Sequence, residues 1–112
     1  MASTLPPGEL FALETLLTAT AQGIASRVLA RTAAGNITLF AFDAGEELSE
    51  HTAPFDALVI SLSGDLILTI GGREVQTTPQ SVVLMPANVP HAVRATGPAR
   101  MLLIMLREQD RG

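Results

Sequence analysis

A chain of 112 residues with a net charge of −4 and no cysteine is one domain, large enough to bury a core, and it can use neither disulfides nor thiolate chemistry. Its seven basic residues are all arginine, scattered from Arg27 to Arg111, so no basic stripe is present to neutralise phosphates and a nucleic-acid surface is excluded. Apolar residues make up 47% of the chain and aromatics only 4%, which leaves the core to Leu, Ile, Val, Ala and Met. The high mean hydropathy implies apolar surface covered by a partner, and a homodimer is expected. The opening MASTLPPGEL lacks a basic segment followed by an apolar one, and no apolar run nears the roughly 18 residues of a membrane span. A cytoplasmic protein with no membrane partner is expected.

Residues 1–22 read as an N-terminal arm. Pro6, Pro7 and Gly8 cannot sit inside a helix. From Glu9 to Ala21, Leu10, Leu13 and Leu17 fall at near-helical spacing, so a short helix or a turn against the main body is expected, although Thr15, Thr18 and Thr20 weaken it. Beyond Gly23 the texture becomes that of short strands. IASRVLART and NITLFAF flank a turn at Ala33–Asn36. In the second run Ile37, Leu39 and Ala41 share one face and Thr38, Phe40 and Phe42 the other, so both faces are buried. DALVISLS alternates in the same way, with Asp56, Leu58, Ile60 and Leu62 opposite Ala57, Val59, Ser61 and Ser63. GDLILTI and REVQT flank Gly71–Gly72, a two-residue hairpin connection whose glycines supply the positive φ of a primed turn. Such a loop sets Leu68 opposite Val75 and Thr69 opposite Glu74. Pro79 marks a turn before SVVLM, and Pro86–Pro90 forms a stiff connector. HAVRAT, a turn at Gly97–Pro98 and ARMLLIMLRE follow. Eight or so short strands with Gly/Pro punctuation specify an all-β barrel or sandwich over residues 23–107, with a tail at 108–112.

The only two histidines frame the middle of the chain. Gly45-x5-His51, then Gly64, then Pro86-x-Asn88-x-Pro90-His91 resembles the two signature motifs of the cupin superfamily, G-x5-H-x-H-x3-4-E-x6-G and G-x5-P-x-G-x2-H-x3-N. The likeness spans about Gly35 to Met105 and is nearest to small single-domain cupins with "HxxPFDA" and "PANxPH" phrases. It implies an RmlC-like jelly-roll barrel with His51 and His91 at metal-binding positions. The match is incomplete: Ala53 stands where the second histidine belongs, and Ala57, seven before Gly64, where the glutamate belongs. Gln80, Asn88 and Ala95 replace further motif residues.

A catalytic divalent metal needs about three protein ligands and an open position. His51, His91 and Asp56 supply three only if a bulge at Pro54–Phe55 turns Asp56 inward, because regular alternation lets just one of Asp56 and Ala57 face the interior. The expectation is therefore a small-molecule-binding cupin with a degenerate metal site. Its candidate ligand-binding residues are His51, His91, Asp56, Gln76 and Met85. The alternative is a metal-dependent cupin enzyme, a small oxygenase or isomerase, holding Fe, Mn, Ni or Zn on His51, His91 and Asp56. For each residue a structural role stands beside the functional one. The histidines could be hydrogen-bonded pocket residues, Asp56 a turn residue binding backbone amides, Pro86–Pro90 a connector, and Met85, Met101 and Met105 core packing. Gln76 and Ser61 are candidate polar anchors. No G-x-S-x-G, glycine-rich phosphate loop or Walker lysine is present.

Overall fold

A computed structural model of the chain describes residues 4–107, and the expected tail lies outside the described residues. Nine strands are found among them: β1 (Ile24–Thr32), β2 (Gly35–Phe42), β3 (Glu47–His51), β4 (Asp56–Ser63), β5 (Leu66–Ile70), β6 (Arg73–Gln76), β7 (Ser81–Met85), β8 (His91–Ala95) and β9 (Ala99–Leu106). They form two antiparallel sheets, one of five strands in the order β1-β2-β9-β4-β7 and one of four in the order β3-β8-β5-β6. The inner faces meet as a jelly-roll barrel. No described helix is long and apolar enough to cross a membrane.

Alternation decides which residues the barrel encloses. On β4 the inward set is Ala57, Val59 and Ser61, all buried. Ala57 and Val59 join Phe42, Leu66, Leu68, Met85, Val93, Ala95, Ala99 and Met101 in the main core. The Gly71–Gly72 hairpin has the expected register, Leu68 opposite Val75 and Thr69 opposite Glu74. Both glycines carry positive φ, 56° and 82°, as a primed turn requires.

Of the two alternatives expected for the arm, a short helix or a turn, the structure has the turn. A single 3-10 turn at Leu13–Thr15 is its only helical element among the described residues. The Thr15 hydroxyl donates to the Ala12 carbonyl at 2.7 Å, the local side-chain-to-backbone bond by which threonine competes with a helix. Of the leucines at helical spacing only Leu17 packs on the outside of the five-stranded sheet, while Leu10 and Leu13 are exposed. Leu5, Phe11, Leu16 and Leu17 pack there with Leu29, Leu39 and Leu102, and the Leu5 amide donates to the Leu29 carbonyl on edge strand β1.

One end of the barrel is closed by backbone contact. Gly64 has φ +71°, and a Cβ there would lie 2.2 Å from the Pro98 carbonyl oxygen and 2.8 Å from the Ala99 Cα. Only glycine allows this approach. Beside it, Thr77 hydrogen-bonds to the amide and carbonyl of Leu66, satisfying the hydroxyl of a buried polar residue.

Candidate functional site

The opposite end holds the two histidines. His51 lies directly across from His91 in the β3–β8 pair, with ring centroids 4.5 Å apart and planes at 70°. Strand β3 carries an irregularity that makes this possible. Leu48 pairs with Val93 and His51 with His91, so three steps on β3 match two on β8. Strict alternation would put Leu48 and His51 on opposite faces; the extra residue restores both to the interior. A bulge does re-aim a site residue, but it lies in β3 and the residue is His51.

The surrounding cavity measures about 30 Å³ and is lined by Leu48, His51, Ala53, Phe55, Ala57, Met85, His91, Val93, Met101, Leu103 and Met105. His91 is 5% exposed and forms its floor, whereas His51 is exposed at the mouth. Each ring is held by its own strand. His91 Nδ1 donates to the Val89 carbonyl at 3.2 Å and His51 Nδ1 to the Ser49 carbonyl at 3.0 Å. A carbonyl only accepts, so both Nδ1 atoms carry the proton and both Nε2 atoms keep a free lone pair in the neutral rings. Burial pushes the His91 imidazolium down from its ordinary range, the Val89 carbonyl opposes this, and His51 adds a smaller downward push. His91 is thereby held as a neutral acceptor.

The connector before β8 delivers His91, and it is fixed at three points. The Asn88 amide donates to the Ala53 carbonyl at 2.7 Å and the Gly71 amide to the Pro90 carbonyl at 2.8 Å. The Ala87 amide donates to Asp56 Oδ1 at 2.8 Å. Asn88 takes φ +64° to make the turn.

Two candidates lie outside this cavity. Asp56 is exposed at the start of β4, with its carboxylate on the connector amide and outside the cavity lining. Without a bulge at Pro54–Phe55, alternation turns Ala57 inward and Asp56 outward. Asp56 therefore lies outside the cavity that holds the histidines, and its carboxylate positions the connector. Gln76 is exposed at the end of β6 and also lies outside the lining. Met85 does line the cavity. Ser61 is fully buried, its hydroxyl has no hydrogen-bond partner, and it is not part of the lining. Residues not placed in the site from the sequence are Leu48, Phe55, Val93 and Leu103; Phe55 is capped by the Arg107 guanidinium 5.4 Å from its ring centre.

The donor set does not fit the divalent metal that the fold implies. Among the described residues no group of three or more His, Cys, Asp or Glu is placed to hold an ion. Ala53 and Ala57, at the positions where the motif has histidine and glutamate, both line the cavity and present methyl groups to it.

A family model described as a cupin domain matches residues 38–105. A conserved protein of unknown function from Streptococcus pyogenes is 28% identical, with a TM-score of 0.88, over 95% of this chain and 93% of that one. A cupin superfamily protein from Desulfitobacterium hafniense is 31% identical, with a TM-score of 0.85, over 93% and 95%. A cupin 2 conserved barrel domain protein from Leptotrichia buccalis is 33% identical, with a TM-score of 0.83, over 87% of this chain and 47% of that one. No curated protein matches the chain. With a family model over more than half its length and a barrel shared with these neighbours, the chain belongs to the cupin family.

Proposed function

We propose that this protein binds a small molecule at the histidine end of the barrel, with His51 and His91 as its polar anchors. The observation that carries this reading is the pair of free Nε2 atoms, one buried and one at the mouth, facing an otherwise apolar cavity. A compact apolar ligand with one hydrogen-bond donor suits such a site, because it satisfies Nε2 while its body displaces little water. At about 30 Å³ the cavity admits only a few atoms in this state. Met85, Met101 and Met105 supply walls that can repack around something larger.

A homodimer accompanies this reading, and a cytoplasmic location is in keeping with it. On the outside of the five-stranded sheet, beyond the reach of the arm, Val82, Leu84 and Leu106 are 60%, 52% and 48% exposed. Val82 and Leu84 sit across from Ile60 and Leu58, giving an apolar strip bordered at Leu106 by the exposed Asp56. A second copy, related by a two-fold axis, would bury the same strip on both chains.

The test of the binding reading is nuclear magnetic resonance of 15N-histidine-labelled protein during a screen of small phenols, amides and heterocycles. The expected result is a set of ligands that shift both Nε2 resonances and stop binding in His51→Ala. Turnover of a small metabolite that is lost in His51→Ala would overturn it.

A further inference from the structure

At the Gly64 end, the outer surface of the five-stranded sheet carries a charge that the fold leaves unpaired. Arg100 lies between buried Ala99 and buried Met101 on β9, so alternation turns it outward. Strand β9 is central, between β2 and β4, and the next outward residues along it are Leu102, Ile104 and Leu106. Arg100 is half-buried, and its Nη1 is enclosed with no hydrogen-bond partner. A guanidinium only donates, and a buried donor without an acceptor is more costly when it is charged. The acceptor whose shape matches the guanidinium fork is a carboxylate.

Arg100 lines a cleft of about 510 Å³ together with Leu13, Glu14, Leu62, Ser63 and Gln80. That is within the roughly 300–1,000 Å³ of small-molecule sites. Three features of the fold bring these residues together. The β4–β9 pairing skips Leu62, which sets Ser63 directly across from Arg100. Gln80 takes φ +66°, and its amide donates to the Ser61 carbonyl at 2.8 Å. Glycine adopts that conformation without steric cost, so a glutamine there keeps its side-chain amide on the cleft at the expense of strain. The arm adds Leu13 and Glu14 from its single 3-10 turn.

The chemistry of the lining narrows the ligand. Arg100 is the one cation among these residues and Glu14 the one anion. A single negative charge is therefore matched, and a second one is opposed. Leu13 and Leu62 give an apolar body something to cover. Turning the long Arg100 side chain toward a carboxylate exchanges an unpaired nitrogen for a paired one, so binding recovers the cost of its enclosure.

We propose that this cleft binds a small monocarboxylate with an apolar body. The carboxylate sits on the Arg100 guanidinium with Ser63 and Gln80 as further donors, and the body lies against Leu13 and Leu62. The site is on the outside of the sheet at the end away from the histidines, and it stands or falls separately from the binding reading above.

The experiment is a titration of the 15N-labelled full-length protein with benzoate, with benzamide and inorganic phosphate in parallel, followed by nuclear magnetic resonance. Benzoate should give saturable shifts at the amides of Leu13, Glu14, Ser63 and Gln80 and at Arg100 Nε, with the histidine ring nitrogens unmoved. Benzamide, of the same shape without the charge, and phosphate should leave the cleft resonances in place. Arg100→Met keeps the apolar stem and should weaken benzoate by about 10- to 100-fold, with circular dichroism showing an intact barrel. Glu14→Gln, at an exposed position in the arm, should tighten benzoate by up to about fivefold, and it carries the test if Arg100→Met does not fold. Absent or unsaturable shifts with benzoate overturn the site, as does unchanged binding in a folded Arg100→Met. Equal binding of benzamide or phosphate overturns the monocarboxylate assignment, and unchanged or weaker binding in Glu14→Gln overturns the part given to that charge.

Discussion

The two ends of the barrel interior are built from one alternating pattern and are packed in opposite ways. At the Gly64 end the sheets close on each other. A missing Cβ lets backbone touch backbone, Thr77 ties its hydroxyl to Leu66, and Leu66, Leu68 and Ala95 are wholly enclosed. At the His51 end the lining steps down to alanine at two positions and up to flexible methionine at three, leaving a cavity with two free ring nitrogens. The difference teaches that one alternating pattern can pack one end of a barrel tightly and leave a cavity at the other, without any change of secondary structure between them.

The sharpest way to break that comparison is mutation at the closed end. Gly64→Ala must leave the positive-φ region or push Pro98 away, and it should destabilise the protein by about 3 kcal/mol or more in urea unfolding. Leu68→Ala should cost about 3 kcal/mol, whereas Met105→Ala, beside an existing void, should cost about 1–2 kcal/mol. Equal losses at the two sites would mean that the interior is packed uniformly.

Next in size is a gain of function. Ala53→His combined with Ala57→Glu returns donors to two lining positions, and the doubly substituted chain should retain Ni(II), Zn(II) or Mn(II) through desalting. No gain in bound metal, measured by elemental analysis on a folded variant, would show that these positions do not face the histidines as the geometry requires.

A smaller effect comes from pH. The His91 pKa is lowered in the folded state, chiefly by burial, so below the ordinary value of 6.5 the unfolded chain takes up a proton that the folded one resists. This contribution to stability is complete above that pH and is lost progressively as pH falls toward the folded-state value. Thermal unfolding from pH 8 to 5 should show the decline. Because desolvation outweighs the push from His51, His51→Ala should keep most of it, while His91→Gln should flatten it. The smallest effect is expected at Ser61, whose buried hydroxyl is unpaired. Ser61→Ala should change stability by no more than about 1 kcal/mol, in either direction, since it removes an unsatisfied group rather than a bond.

Much of the barrel was legible from alternation and turn residues. The Gly71–Gly72 register follows from two glycines between strand patterns, and the inward set on β4 follows from its period of two. The arm was open between a helix and a turn because near-helical leucine spacing fits both, and threonines that compete for the backbone favour the turn that is found. Asp56 was ambiguous because a single bulge reverses the facing of every residue after it, and no local composition marks where one falls. Ser49 and Glu50 carry no glycine to announce the bulge that β3 contains.

The sequence by itself determined the class of fold, the separation of strands by glycine and proline, and the loss of two metal-ligand types to alanine, because all of these are properties of residue identity and short-range spacing. Tertiary structure decided that His51 faces inward, that Asp56 serves the connector, and that three methionines share the histidines' cavity. Those outcomes depend on inter-strand register, which is fixed by pairing between segments far apart in the chain.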